Sequence, residues 1–198
     1  MKQLSRIVLA SASPSRRRVL ENAGLKIDVV PSDVDEGALR DDIGEIAPEE
    51  LAARLADAKA ADVARRHPTA PVVGADQVLV CEGRRFDKAG DMARTRTHLA
   101  ALQGRDHQLI AAVSLYLGGE AVWQYRETAR LTMRPLNGQQ IDAYLDAAGP
   151  AILGSVGCYH LEGLGARLFD RVEGDFFTIL GLPLLPLLES LRRAGILD

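Results

Sequence analysis

The sequence predicts an α/β protein built on a mixed sheet, and three observations carry that expectation. Apolar runs of strand length alternate with longer segments of helical period along the chain. Two long strand-like runs meet at Gly118-Gly119, a hairpin signal, whereas other strands are separated by helices that must cross the sheet. No linker or repeat divides the 198 residues, so residues 1–198 are expected to form a single domain, or one domain with two lobes. Hairpins and crossovers in one chain argue against a purely parallel Rossmann-type sheet.

Taken in order, Ile7-Val8-Leu9-Ala10 reads as a strand that breaks into a serine-rich turn. Ser13 is an N-cap candidate with Pro14 at the first helical position, which starts a helix that runs to Ala23 and stops at Gly24. Ile27 to Val30 is a short strand running into an acidic loop, Asp33-Val34-Asp35-Glu36, continued by Asp41-Asp42. Pro48 opens a long alanine-rich helix, Glu49 to Arg66, ended by His67-Pro68. Pro71 to Val80 is a strand, Glu82-Gly83 a turn, and Asp91 to Leu102 a helix. His107 to Leu117 and Ala121 to Met133 are the two hairpin strands. Asn137 can cap a helix that reaches Ala147, and Cys158 to Val172 is glycine-punctuated and strand-like. Pro183 to Ala194 is an apolar helix that suits the core better than an interface.

Composition narrows the classes. A hydrophobic share of 47% supports a sizeable core, and a net charge of −3 gives no nucleic-acid or membrane footprint. Cys81 and Cys158 belong to no metal-ligand spacing and fit a reducing compartment, so a cytoplasmic location is expected. The four histidines, His67, His98, His107 and His160, show no paired metal spacing either. No apolar run reaches the length of about 18 residues that a membrane span needs, and Leu4 to Ala12 lacks the shape of a signal peptide.

Within this mildly acidic chain, Arg16-Arg17-Arg18 is a local basic cluster in the first turns of a helix. Cations there oppose the positive end of the helix dipole by a few tenths of a kcal/mol each. The cluster makes sense if an anion comes between it and the free amides, which gives a phosphate-binding strand-loop-helix. A solvated basic turn with Ser13 as an ordinary cap is an equal alternative.

Asp76 is the strongest catalytic candidate on local grounds. It interrupts the apolar strand Val72 to Val80 and shares a face with Gly74 and Val78. A carboxylate there is costly unless a cation, a metal or hydrogen-bond donors meet it. Lys59 falls on the apolar stripe with Leu51, Leu55 and Val63, where spacing favours a side chain that snorkels over one that points into a cleft. Lys88 follows the Asp76 strand by a hairpin's length and can return to the same site or stay an ordinary loop lysine. Asp35-Glu36 would suit Mg²⁺, which needs few carboxylates when phosphates and water complete its shell. Gln77 and Glu162 are polar residues in apolar or glycine-rich settings, able to read a base edge. Together these groups point to metal-assisted attack on a phosphoanhydride, and the absence of Walker and GxSxG motifs disfavours P-loop and acyl-transfer chemistry.

With these residues assembled, the chain resembles the Maf family of nucleoside triphosphate pyrophosphatases, also called septum-formation inhibitor proteins. The resemblance rests on motifs in order: Ser11-Ala12-Ser13-Pro14-Ser15-Arg16, Val34-Asp35-Glu36, Ala56-Asp57-Ala58-Lys59-Ala60 and Gly74-Ala75-Asp76. Gly104-Arg105-Asp106-His107, Glu162-Gly163-Leu164-Gly165 and Gly181-Leu182-Pro183 follow them. It implies a two-lobed fold like that of inosine triphosphate pyrophosphatases, with a long curved mixed sheet and a central cleft.

The resemblance also implies hydrolysis of a nucleoside triphosphate to the monophosphate and pyrophosphate with a divalent cation, Mg²⁺, Mn²⁺ or Co²⁺. By motif position Ser11, Ser13 and Arg16 would hold phosphates, and Lys59 and Lys88 would balance their charge. Glu36, with Asp76, would hold the metal, and Asp76 would activate the water. Two departures stand out: Asp87-Lys88-Ala89 replaces the family's Gly-Lys-Pro, and Ser15 stands where relatives carry arginine or tryptophan. Relatives preferring dTTP and UTP carry threonine at the Gln77 position and glutamine at the Glu162 position. The pair here resembles the 7-methyl-GTP branch, but without its tryptophan, whose stacking on a cationic base is worth about 0.5–2 kcal/mol. The family tends towards homodimers. A non-catalytic nucleotide sensor acting through a division-control partner is the alternative of another class.

Overall fold

The computed structural model describes residues 2–198. Its strands are β1 (Ile7–Leu9), β2 (Ile27–Val29), β3 (Val72–Cys81), β4 (Arg84–Phe86), β5 (Asp106–Leu117), β6 (Glu120–Met133) and β7 (Phe169–Glu173). Its helices are α1 (Pro14–Asn22), α2 (Glu36–Ile43), α3 (Pro48–Arg66), α4 (Met92–Leu102), α5 (Gly138–Ala148), α6 (Phe176–Ile179) and α7 (Leu184–Arg193). One seven-stranded sheet runs in the order β2-β1-β3-β5-β6-β7, with β4 paired to β3. β1 lies parallel to β2 and β3, whereas β4 is antiparallel to β3 and β7 to β6, so the sheet is mixed as expected. Gly118 and Gly119, both at positive φ (60° and 84°), make the two-residue turn between β5 and β6.

The chain divides into two units, and the division falls within β3, β5 and β6. The first takes the chain up to Gln77, with Ile110–Glu127 and Phe176–Asp198. Here β1 is buried on both faces, as a short parallel strand covered by helices must be. One face packs Ile7, Leu9, Val73 and Leu115 against Leu20 of α1 and Leu187 and Leu191 of α7. The other packs Val8, Val72 and Tyr116 against Ala60 and Val63 of α3. The apolar stripe of α7 therefore completes a core, and Leu185, 58% exposed, is the leucine it leaves outside.

Helix α3 approaches the sheet closely because Ala52, Ala56, Ala60 and Ala64 repeat every fourth residue on its buried side. A Cβ on Gly74 of β3 would lie 2.3 Å from the Ala56 carbonyl and 2.6 Å from the Ala60 nitrogen, so only glycine fits between them.

The second unit, Val78–Leu109 with Thr128–Asp175, holds β4, α4, α5 and β7. Arg96 of α4 pairs with Asp142 of α5 at 2.6 Å, and Asn137 and Gln140 close a capping box at the start of α5. His107 at the start of β5 is buried, its Nε2 2.6 Å from the Tyr159 hydroxyl, with Phe169 alongside.

Two expectations need correction, and one element goes unannounced. The acidic segment expected as loop contains α2, whose N-cap Asp35 accepts from the Ala38 amide at 3.0 Å. No residue of α2 is buried, so no apolar period marks it in the sequence. Cys158 to Val172 is mostly turns and a 3₁₀ segment, Leu164–Leu168, and becomes strand only at Phe169, because glycines at 163 and 165 break any ladder. The short helix α6 is an element that the sequence does not announce.

Candidate active site

The Ser11–Arg16 segment takes the strand-turn-helix form that the sequence predicts. Ser13 is extended, and its hydroxyl accepts from the Arg16 amide at 3.4 Å, with Pro14 at the first helical position. Ser11 is buried, and its Oγ accepts from the Ser13 amide (3.2 Å) and from Arg16 Nη1 (3.1 Å). The three arginines differ sharply. Arg17 is exposed and pairs with Glu21 one turn on at 2.8 Å, and Arg18 is exposed. Arg16 is buried. Its Nε donates to the Gly181 carbonyl (2.9 Å), and its Nη1 donates to the Ala75 carbonyl (2.8 Å) as well as to Ser11. Three of its five N–H donors are thus spent on the protein, and the other two are those of Nη2. Burial pulls its pKa down while the charges of Asp76 and Glu36 oppose that pull, and arginine starts high enough to stay a cation.

Asp76 sits on β3 two residues after Gly74 and, by strand alternation, on the face that α3 covers. The close approach at Gly74 brings Lys59 of α3 down beside it. Lys59 Nζ lies 2.6 Å from Asp76 Oδ1 and 2.7 Å from Glu36 Oε1, and both Lys59 and Asp76 are buried. Lys59 therefore does not snorkel: an ammonium this deep is stabilised by two carboxylates, which spacing along one helix could not reveal. Glu36 opens α2, and Arg40 one turn on pairs with its Oε2 at 3.4 Å. Asp76 Oδ2 is buried and has no hydrogen-bond partner among the described residues, an expensive state for a carboxylate oxygen.

Four of the candidates expected from the sequence are thus in one place: Arg16, Glu36, Lys59 and Asp76. Ser11 touches Arg16, Ser13 caps the same helix, and Ser15, half-buried, is that helix's second residue. Gln77, expected from the sequence to be able to read a base edge, donates from Nε2 to the Thr178 (3.0 Å) and Ile179 (3.1 Å) carbonyls. Lys88 and Glu162 belong to the second unit, Lys88 exposed beyond β4 and Glu162 exposed in a turn. Nothing local in the sequence singles out Arg40 or Thr178. For Gly181, the Gly-Leu-Pro element around it is the available signal.

Among the described residues no group of three or more His, Cys, Asp or Glu is arranged to hold a metal ion. Two carboxylates and an unpartnered buried oxygen nevertheless suit a hard divalent cation that takes its other ligands from phosphates and water. A separate cavity of about 630 Å³, between α3 and β5–β6, is lined by Glu50, Arg54, Asp57, Ser114 and Arg126 among others and includes none of these candidates.

A serine-rich loop capping a helix, one buried arginine and a lysine bridging two carboxylates define an α/β protein whose site concentrates charge of both signs. The chain belongs to the Maf family: the model described as Maf-like protein matches residues 6–194. A Nitrobacter hamburgensis protein named nucleoside triphosphate pyrophosphatase is 48% identical over 97% of this chain and 95% of its own. A Mesorhizobium japonicum protein named 7-methyl-GTP pyrophosphatase is 47% identical over 98% of each. The solved structure of the Staphylococcus aureus Ham1 protein aligns with 96% of this chain and 100% of its own at 14% identity, with a TM-score of 0.47. No helix among the described residues is long and apolar enough to cross a membrane.

Proposed function

We propose that this Maf-family hydrolase converts nucleoside triphosphates to the monophosphate and pyrophosphate with the help of a divalent cation. The names of relatives that share nearly half its residues over almost the whole chain support the activity. The observation that carries the mechanism is Asp76, a buried carboxylate with Oδ1 held by Lys59 and Oδ2 unpartnered.

In this reading the oxygen of a water molecule attacks the α-phosphorus, and the bond from that phosphorus to the oxygen bridging to the β-phosphate breaks. Pyrophosphate leaves with that oxygen, and Asp76 Oδ2 takes the proton of the attacking water. Lys59 fixes Asp76 through Oδ1, so the orientation of the accepting lone pair is set before substrate arrives. Ser11, Ser13, the start of α1 and the Nη2 of Arg16 receive phosphate oxygens. Lys88 and Glu162 are assigned to phosphate charge and base choice by motif position alone. Glu36 and Asp76 would hold the cation, Mg²⁺, Mn²⁺ or Co²⁺, which when bound screens phosphate charge and acidifies its water.

Pyrophosphate release is measured directly over the canonical triphosphates and 7-methyl-GTP with each cation, alongside calorimetric binding. The expected result is pyrophosphate production that Asp76→Asn lowers about 10²–10⁴-fold while the variant keeps its fold. Tight triphosphate binding without pyrophosphate would overturn the reading in favour of a nucleotide sensor. The narrower reading, a 7-methyl-GTP enzyme, is favoured by the Mesorhizobium japonicum relative and by the resemblance of the pair Gln77 and Glu162 to that branch, a resemblance of sequence and not of contacts to the base. It requires that substrate to exceed GTP in kcat/KM despite Ser15.

A further inference from the structure

We infer that Gln77, together with Arg16, is a positioning residue that clasps the Gly181 turn behind Asp76, and that Gln77 bears on substrate turnover only through this clasp. The inference rests on Asp76 being the reacting carboxylate.

The need for a clasp follows from where β1 ends. The last ladder bond from β1 to β3 runs from the Ala10 amide to the Val73 carbonyl at 2.8 Å. The next β3 carbonyl pointing the same way, two residues on, is that of Ala75. By then the first strand has turned away into the serine loop, and Arg16 Nη1 takes the place of the missing strand at 2.8 Å. The same guanidinium donates through Nε to the Gly181 carbonyl at 2.9 Å.

On the far side of Asp76, Gln77 Nε2 donates to the Thr178 and Ile179 carbonyls at 3.0 and 3.1 Å. The residues immediately before and after Asp76 are therefore both tied to residues 178–181. Side chains at 75 and 77 project to the face opposite Asp76, so the clasp holds the strand from behind the carboxylate. Gly181 is where its two arms meet. It has φ +93°, and a Cβ on it would lie 3.4 Å from Arg16 Nε and 3.6 Å from Gln77 Oε1. The turn is itself anchored, because Thr178 Oγ1 donates to Glu127 Oε2 at 2.6 Å.

Direct reading of a base by Gln77 is hard to reconcile with this geometry. An amide that reads adenine uses its donor and its acceptor together. Both Nε2 hydrogens here are committed to backbone carbonyls, which leaves only Oε1, beside Gly181.

The test uses the full chain with Gln77→Met, which keeps length and loses the donors, and Gln77→Lys, which can still donate to both carbonyls but cannot present an amide edge. Amide hydrogen exchange reads the clasp without any catalysis. Gln77→Met should speed exchange at Gly181 and Leu182 at least tenfold and Gln77→Lys should not, with α3 unchanged in both. Unchanged exchange at Gly181 in Gln77→Met would overturn the inference whatever the activity. In steady-state assays Gln77→Met should lower kcat about tenfold, by the same factor within twofold for ATP, GTP, CTP, UTP and 7-methyl-GTP, with each KM unchanged. Gln77→Lys should recover most of that loss. A KM change confined to one base would overturn the inference in favour of direct reading, as would kcat per folded molecule equal to wild type. A wild-type protein that releases no pyrophosphate would fail the proposed function alone, and the exchange experiment would still decide the clasp.

Discussion

Lys59 bridges Asp76 and Glu36 from one buried nitrogen, and that arrangement sets the energetics around it. Two carboxylates brought near each other repel, and a buried one loses its hydration. The ammonium at 2.6 and 2.7 Å offsets both costs. Removing it should therefore cost more than removing an exposed lysine. Lys59→Met is expected to destabilise the protein by about 3–5 kcal/mol in urea titration, because it strands the Asp76 charge. In an Asp76→Asn background the same change should cost far less, and equal losses in both backgrounds would show that the pair is not coupled. At Arg17 the prediction runs the opposite way. Arg17 is exposed and pairs along its own helix with Glu21, so Arg17→Ala should move stability by less than about 1 kcal/mol and leave KM for triphosphates unchanged.

Among the elements, the contact of α3 with β3 decides whether the site exists. The alanines at 52, 56, 60 and 64 and the glycine at 74 are small for the same reason: the helix axis must come close enough for Lys59 to reach the strand. A Cβ at Gly74 would fall 2.3 Å from a backbone carbonyl, a clash that no side-chain rotation relieves. Gly74→Ala should destabilise by at least about 1–3 kcal/mol. It should also lower activity in the fraction that folds, since the helix must move outward and carry Lys59 with it; chemical denaturation and kcat on the same preparation check this. The elements that are legible in the sequence are those with a local mark. Ser13-Pro14 starts α1, Asp91 caps α4, Asn137 with Gln140 closes a box at α5, and Gly118-Gly119 turns the hairpin. Helix α2 has a cap in Asp35 and a stop in Gly44, but it buries nothing, so its acidic composition has the character of a loop.

For the whole molecule, acid sensitivity is the clearest expectation. His107 is buried among Tyr159 and Phe169, and its Nδ1 has no hydrogen-bond partner among the described residues. Burial holds its pKa down at about 4, against 6.5 for an ordinary histidine. The unfolded chain therefore takes up a proton as pH falls through 6.5, while the folded protein refuses it until about 4. The stability that His107 contributes as a neutral ring is complete above pH 6.5 and is lost progressively down to pH 4, by about 3 kcal/mol in all. A His107→Gln variant should lose that slope between pH 6.5 and 4 in thermal or urea unfolding, and an unchanged slope would assign the acid sensitivity elsewhere.

The sequence by itself determined the mixed α/β class, the strand-turn-helix at Ser11–Arg16 and the presence of a carboxylate, Asp76, inside an apolar strand. It also marked membership of the Maf family through motifs in order. These are written in short-range chemistry: hydrophobic period, caps, turns, and a charge where an apolar strand should have none. The tertiary structure decided what each charged group faces. It turned Lys59 inward onto two carboxylates, committed three of the Arg16 donors to Ser11 and to the Ala75 and Gly181 carbonyls, and tied the Gln77 amide to the Gly181 turn. Periodicity places a residue on a face of its own helix or strand. The partner that comes to meet it arrives from a segment dozens of residues away, so its charge and distance are fixed only when the chain folds.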